Sequence, residues 1–328
     1  MSPNTQGALL ALLAFALYAT HDAVVKLLGA DYSPFQLIFF STLFSFPFAI
    51  GMMMRDPRPG TLRPVHPWWI ALRSVASLCT ALSAFYAFSV LPLAQVYAIA
   101  FAQPLLITLL AIPLLRERIR LRRGLAVVVG LLGVTVVLRP GASELSLGHL
   151  AALMAAVCGA VSSVIVRKVG QEERPVVLLV YPMLANLLLA GLFLPAVYRP
   201  MEAEHMGLLA FMSALGWTGG VVIIAAYKAG QAVVVAPMQY VQILFATFFG
   251  YAFFRETIDT WTAVGAGIII ASGIYIVLRE DSAGTSRNQP VLNTRLRPDT
   301  GTAPRPSTLQ RLLGRHPHAA LPSATPGE

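Results

Sequence analysis

Ten long apolar runs follow one another along this chain, and short polar or proline- and glycine-containing segments separate them. A bilayer core about 30 Å thick needs about 20 apolar residues per helix. Because lipid-facing backbone must satisfy its own hydrogen bonds, these runs are expected to be helices. The sequence therefore predicts an all-α polytopic membrane protein. Its ten transmembrane helices are expected at residues 7–28, 34–54, 68–90, 94–115, 122–139, 147–168, 175–197, 206–228, 232–254 and 260–278.

Composition supports this fold class and narrows the function. Charged residues make up 12% of the 328 residues and hydrophobic residues 56%, whereas an ordinary soluble domain carries about 25% charged residues. Only Asp22 among the acidic residues lies inside a predicted span. The His-Glu-x-x-His and Gly-x-Ser-x-Gly motifs are absent, so no enzyme, metal site or cofactor is expected. Cys79 and Cys158 lie inside apolar runs, which argues against a disulfide framework.

The net charge of +9 is better explained by membrane orientation than by nucleic acid, because the basic residues flank the apolar runs or lie near the C-terminus. At the span ends and in the loops before residue 279, twelve Lys and Arg residues lie on one side. The other side receives Arg139, Arg199 and Arg255. The positive-inside rule therefore predicts that both termini lie in the cytoplasm, and the expected location is the bacterial inner membrane. Residues 282–328, rich in Pro, Ser, Thr, Gly and Arg, are expected to form a disordered cytoplasmic tail.

The two halves of the chain match when the sequence is shifted by about 140 residues. Residues 7–29 overlay 148–170, which places Asp22 on Ser163, and residues 114–119 overlay 253–258. Five spans per copy is an odd number, so the second copy must enter the membrane from the opposite side. The predicted organisation is an inverted repeat: residues 1–140, residues 141–281 and the tail.

Inverted repeats favour a carrier, because two related halves can open a central site to each side alternately. No Walker A motif is present, which excludes direct driving by ATP, and no selectivity-filter feature suggests a channel. The expected partners are the bilayer and a small organic molecule. A non-transporting membrane sensor or scaffold is the alternative from another class. Small residues spaced by four, such as Ala126 and Gly130, also leave a homodimer open.

Two copies of five spans, each with an Arg-Glu pair after the fourth span and a glycine-rich fifth span, resemble the EamA branch of the drug/metabolite transporter superfamily. The most specific segments are residues 103–117 and 236–256. The segment His21 to Lys26 is most similar to importers of S-adenosylmethionine or riboflavin, and export of amino acids or related metabolites and drugs is the alternative. The resemblance implies a secondary transporter that works by alternating access.

Polar residues inside the spans are the candidate site. Asp22 is expected to pair with Lys26 one turn further along, and His21 beside it is a candidate for a proton relay. These three residues are assigned to coupling or gating, with a purely structural ion pair as the alternative. Arg73 is the other charge deep in a span and suits a carboxylate or phosphate.

Proline interrupts the fourth span at Pro104 and the ninth at Pro237, and breaks at corresponding positions of two repeats indicate a carrier's site. The polar and aromatic residues around the breaks, together with one tryptophan of the eighth span, are expected to contact a planar solute. With Arg73, the candidate substrate-binding residues are Tyr97, Gln103, Gln239, Tyr240, Gln242 and Trp217.

Overall fold

The computed structural model describes residues 2–54, 62–115, 121–139, 146–170 and 172–282, and this part of the chain is helical without strands. The first repeat contains α1 Pro3–Gly29, α2 Pro34–Met54, α3 Pro67–Val90, α4 Leu93–Ala100, α5 Gln103–Leu115 and α6 Leu121–Leu138. The second repeat contains α7 Leu147–Val169, α8 Pro175–Val197, α9 Ala203–Ala229, α10 Ala232–Val235, a 3₁₀ helix Ala236–Val241, α11 Gln242–Phe254 and α12 Thr260–Ser282.

These elements confirm the predicted all-α membrane fold of ten spans. Eight spans are long and apolar enough to cross a bilayer by themselves, with α4 and α5 counted together, and α6 contributes a shorter apolar segment at Gly124–Leu138. The remaining span, the ninth along the chain, is made of α10, the 3₁₀ helix and α11. The Arg116 and Glu117 pair lies outside the described residues. The predicted tail beyond Ser282 lies outside them as well.

Proline places the two helix breaks. The fourth span stops at Ala100, turns at Phe101 and Ala102, and resumes at Gln103. Pro104 has no N–H to donate to the carbonyl of Ala100, so the α-helical ladder cannot run through this point. In the ninth span Pro237 lies in the 3₁₀ helix, whose tighter turns interrupt the same region of the second repeat. Both spans therefore carry irregular backbone in the interior of the bundle, where protein rather than lipid surrounds it.

The helix contacts show the symmetry of the two repeats, because the most extensive contacts have counterparts when the repeats are exchanged. Helix α1 packs on α9 and α3 packs on α7, and the shift of one repeat onto the other converts the first contact into the second. Helix α2 packs on its counterpart α8, and α6 packs on its counterpart α12. The last seam is close, since a Cβ atom on Gly265 would lie 2.7 Å from the carbonyl oxygen of Gly133. Gly130 also faces this seam, next to Ser272 of α12.

Candidate functional site

A cavity lies between α1, α3 and α7 at the level of both helix breaks. It is framed by α4, α5, the 3₁₀ helix and α11, so both repeats contribute to its wall. Apolar carbon atoms make most of the wall, and a few polar groups converge on it. The lining residues are His21, Asp22, Ala84, Phe85, Phe88, Val96, Tyr97, Ala100, Phe101, Gln103, Pro104, Ala152, Ala155, Gln239 and Gln242.

Asp22 is the acidic centre of this cavity, and its residue is only 6% exposed. The Tyr97 hydroxyl donates to Oδ2 of Asp22 at 2.5 Å, and Nδ1 of His21 lies 2.7 Å from Oδ1. Nε2 of Gln242 donates to the Tyr97 hydroxyl at 3.4 Å. A hydrogen-bonded chain therefore runs from Gln242 of the second repeat through Tyr97 to Asp22 of the first. Hydrogen bonds to a carboxylate are among the stronger ones, so this chain fixes the direction in which Asp22 faces.

A neutral counterpart of this arrangement is formed by Gln103, which lines the cavity, and Ser163, which is not among the lining residues. Nε2 of Gln103 donates to Oγ of Ser163 at 3.3 Å, and Ser163 donates to the carbonyl of Gly159 at 2.6 Å. The repeat alignment places Asp22 on Ser163, and the match of residues 114–119 with 253–258 likewise places Gln103 on Gln242. The two repeats therefore build the same kind of half-site, but only the first supplies a carboxylate. We call them the Asp22 half-site (Asp22, Tyr97 and Gln242) and the Ser163 half-site (Ser163 and Gln103).

Aromatic rings form the rest of the wall. The Phe88 and Tyr97 rings meet at 5.7 Å between centroids, and Phe85 lies edge-on to His21 at 6.4 Å. Tyr240 packs edge-on behind Phe101 at 5.0 Å. Aromatic faces beside amide side chains suit a flat, hydrogen-bonding molecule, because the rings stack while the amides contact its edge.

Lys26 lies one turn beyond Asp22 on α1, and the structure gives it a partner that the sequence did not predict. Its Nζ atom is 2.7 Å from Oε1 of Glu256 and donates to the carbonyl of Leu91 at 2.6 Å. Helical spacing had indicated Asp22 as the partner. The chain reversal after α11 brings Glu256 to Lys26, while Asp22 faces Tyr97 and His21.

Two predicted substrate contacts lie away from the cavity. Arg73 is 1% exposed, and its Nη1 atom donates to the carbonyl of Leu178 at 2.5 Å. Trp217 stacks on Phe48 of α2 at 5.5 Å. Neither residue belongs to the lining, whereas Tyr97, Gln103, Gln239 and Gln242 do, together with Pro104. Tyr240 and Pro237 stand behind the wall, within the same broken ninth span.

Sequence reasoning missed Glu256, Ser163 and the three phenylalanines of the cavity wall. The Arg-Glu pair at 255 and 256 indicated only a helix end, since both residues lie outside the apolar runs. The repeat alignment marked Ser163 as the equivalent of Asp22. Only its hydrogen bond with Gln103 shows that it belongs to a half-site. Phe85, Phe88 and Phe101 are not distinguishable by sequence from lipid-facing phenylalanines.

Comparison with known proteins agrees with this architecture. The sequence profile of the EamA-like transporter family matches residues 5–139 and 146–279. The chain is 26% identical over 275 residues to the S-adenosylmethionine uptake transporter of Rickettsia bellii, covering 83% of this chain and 93% of the relative. It is 26% identical over 272 residues to a pseudopaline exporter of Pseudomonas aeruginosa, covering 82% of this chain and 95% of the relative.

A third relative and a solved structure complete the comparison. The chain is 28% identical over 211 residues to the riboflavin transporter of Brucella anthropi, covering 62% of this chain and 72% of the relative. A crystal structure that is 20% identical superposes with a TM-score of 0.52, over 87% of this chain and all of the other chain. At this identity the superposition supports the fold alone.

Proposed function

Since the chain belongs to the EamA-like transporter family and is a small-metabolite membrane transporter, we propose that it imports a planar, polar metabolite such as S-adenosylmethionine or riboflavin. The observation that carries this proposal is the cavity at the two helix breaks, where one carboxylate and three glutamines face aromatic rings. The named activities of two relatives support this class of solute.

Each part of the cavity has a role in this proposal. A ring system stacks against Phe85, Phe88 and Phe101, and the amides of Gln103, Gln239 and Gln242 hydrogen-bond to its edge. Asp22 attracts a positively charged or hydrogen-bond-donating group of the solute. The two prolines keep the fourth and ninth spans broken, so that backbone as well as side chains can face the solute.

We place the protein in the bacterial inner membrane with both termini in the cytoplasm, on the excess of Lys and Arg at one side of the spans. In this orientation α1 begins in the cytoplasm, and the end of the bundle that carries Lys26 and Glu256 is the outer end. Solute then enters from the outer end and leaves past the N-terminal ends of α1 and α3, by alternating access of the two repeats.

Asp22 also provides a route for proton coupling. It is the single carboxylate within the spans, and His21 touches it inside the cavity. Proton and solute then compete for the same carboxylate, which is a simple way to link their movements. If uptake proves independent of pH, exchange or facilitated diffusion is the mode of transport that fits the same site.

Export is the second candidate function, and the pseudopaline exporter is the observation that favours it. Coupling gradients and site energetics, rather than the fold, set the direction of a carrier. Uptake and efflux must therefore be measured from both sides of one membrane preparation.

The test is transport of radiolabelled S-adenosylmethionine and riboflavin by the full chain in right-side-out vesicles and in proteoliposomes, at several external pH values. We expect Asp22→Asn to lower uptake about tenfold or more and to abolish its response to a pH gradient, while counterflow partly remains. Asp31→Asn is the matched control, because Asp31 is exposed just beyond the same helix. Uptake by Asp22→Asn with an unchanged pH response would remove Asp22 from coupling.

A further inference from the structure

From the contacts at the Lys26 end of the bundle we infer that Lys26 and Glu256 form a latch that closes the cavity on that side, and that this latch must open in each transport cycle. The inference extends the proposed function by naming the contact that controls access. Glu256 is a new assignment, since its place in the Arg-Glu pair after the ninth span indicated no role in gating.

The latch joins three separate chain segments. Lys26 of α1 contacts Oε1 of Glu256 at 2.7 Å, while the other carboxylate oxygen, Oε2, accepts a hydrogen bond from the backbone N–H of Leu93 at 3.0 Å. Lys26 also donates to the carbonyl of Leu91 in the turn between α3 and α4. Both oxygens of one carboxylate from the second repeat are therefore bound by the first repeat. The two repeats cannot separate at this end while these bonds exist.

The position of the latch is over the cavity. Four residues of α-helix separate Lys26 from Asp22, which is about 6 Å along α1. Phe88, which lines the cavity, has its carbonyl 3.5 Å from the Lys26 ammonium. Val96 and Tyr97, one turn further along α4 from Leu93, also line it. The ion pair therefore caps the wall formed by α1, α3 and α4.

Local backbone geometry holds Glu256 in place. Arg255 has a φ of 54°, in the left-handed region that non-glycine residues seldom occupy. This conformation ends α11 and turns the chain back, so that the N–H of Glu256 donates to the carbonyl of Gly250 at 2.9 Å. A Cβ atom on Gly250 would lie 2.9 Å from Oε2 of Glu256, so a side chain at this position would force the carboxylate to shift. Such strained positions cluster at functional contacts.

The burial of the pair suits a contact that opens and closes. The side chains of Lys26 and Glu256 are 10% and 18% exposed, and the ammonium lies 5.3 Å from the Phe254 ring centroid. On opening, both charges regain water, which offsets the lost attraction. Arg139 and Asp259 form a second ion pair between the repeats, with side chains 29% and 44% exposed. That pair lies beside the glycine-packed seam of α6 and α12, and it serves as the control.

The first test is a reversible crosslink. In a Cys79→Ser, Cys158→Ser background, Lys26→Cys with Glu256→Cys is treated with a reducible bis-methanethiosulfonate reagent long enough to span the two side chains. We expect uptake of the solute that the untreated variant carries to fall about tenfold or more, and to return after reduction. The same treatment of Arg139→Cys with Asp259→Cys should leave uptake within about twofold. Full uptake despite a crosslink demonstrated by mass spectrometry would overturn the latch.

The second test needs no substrate, so it stays decisive if the proposed function fails. Ala100→Cys in the same background places one thiol on the cavity wall. Its reaction with a membrane-impermeant thiol reagent is measured from each side, with and without Glu256→Gln, a change that keeps the shape and removes the charge. We expect labelling from the Lys26 side to become about tenfold faster. An unchanged rate in a variant with parental thermal stability would refute the latch. Accelerated labelling with no transport of either solute would refute only the assigned substrate.

Discussion

The two half-sites of the cavity are built from equivalent positions of the two repeats, yet they differ in charge. Asp22 is held by the Tyr97 hydroxyl and contacts His21, while Ser163 accepts a hydrogen bond from the neutral amide of Gln103. Fold symmetry therefore dictates where polar groups can meet, and individual side chains decide what they attract. Under the proposed function, a solute in the cavity would meet the carboxylate of Asp22 and the neutral amide of Gln103.

The largest effect is expected from making the Ser163 half-site charged. Ser163 is 1% exposed, so Ser163→Asp buries a carboxylate beside the neutral amide of Gln103. Breaking a buried pair so that one charge stays uncompensated costs about 3–5 kcal/mol, and we expect a loss of that order here. Thermal unfolding in detergent measures the loss, with Ser163→Ala as the control for removal of the hydroxyl. A Ser163→Asp protein as stable as the parent would show that both half-sites tolerate a charge. That result would refute the proposed difference between them.

Tyr97→Phe tests what holds the charged half-site in place. The variant removes the hydroxyl that joins Asp22 to Gln242 and leaves the ring against Phe88. A hydrogen bond to a charged group contributes about 1.5–3 kcal/mol, so solute affinity should fall about tenfold or more. Equilibrium binding of labelled solute measures this. Tyr251→Phe, at a tyrosine that is 71% exposed, should bind like the parent, and equal affinity of Tyr97→Phe would dismiss the hydrogen-bonded chain.

Gln103→Ala tests the neutral half-site and should have a smaller effect. A neutral hydrogen bond contributes about 0.5–1.5 kcal/mol, which corresponds to a loss of affinity of roughly two- to tenfold. Competition binding against the parent protein gives the ratio directly. A larger loss from Gln103→Ala than from Tyr97→Phe would mean that the Ser163 half-site, rather than the charged one, dominates recognition.

Asp259→Asn tests whether a carboxylate outside the cavity affects solute binding, or whether only a carboxylate at the position of Asp22 does. Burial opposes ionisation of Asp259, but hydrogen bonds from Thr262 and Trp261 and the charge of Arg139 prevail and lower its pKa below the ordinary 3.8. A carboxyl group with a lowered folded-state pKa stabilises the protein above its unfolded-state pKa, and this stability is lost as the pH falls through the folded-state value.

Because this ion pair is exposed, Asp259→Asn should cost at most about 1 kcal/mol at neutral pH. The difference from the parent should shrink as the pH falls below 3.8. Unfolding followed as a function of pH measures both quantities. Solute binding at neutral pH should stay parental, and a tenfold loss of binding would place the outer ion pair in the site.

Much of the fold was readable from the sequence because lipid allows so few solutions. Apolar run length set the ten spans, and the odd number of spans per copy implied the inverted repeat. Pro104 and Pro237 located the helix breaks by their corresponding positions in the two repeats, although a proline alone does not place a break, since Pro47 and Pro113 lie inside continuous helices. Gln103, Gln239 and Gln242 could be predicted as cavity residues because they lie next to those breaks in the sequence.

Contacts between distant segments were not readable in this way. The spacing of Asp22 and Lys26 suggested a pair along one helix, but α1 points them at different neighbours, Tyr97 and Glu256. Arg73 and Trp217 looked equally available as substrate contacts by residue type. Instead, Arg73 donates a hydrogen bond to Leu178 and Trp217 stacks on Phe48. Neither neighbour is close to its partner in the sequence.

The sequence by itself determined a ten-span inverted repeat with breaks in its fourth and ninth spans, because hydrophobic length, proline and charge bias act locally or through the bilayer. Only the tertiary structure decided that Asp22 faces Tyr97 and that Lys26 binds Glu256. Those pairings depend on how α1, the turn before α4 and the end of α11 meet, and on the left-handed backbone at Arg255. Side-chain direction in a packed bundle is set by neighbouring helices of either repeat, and no single helix can specify it.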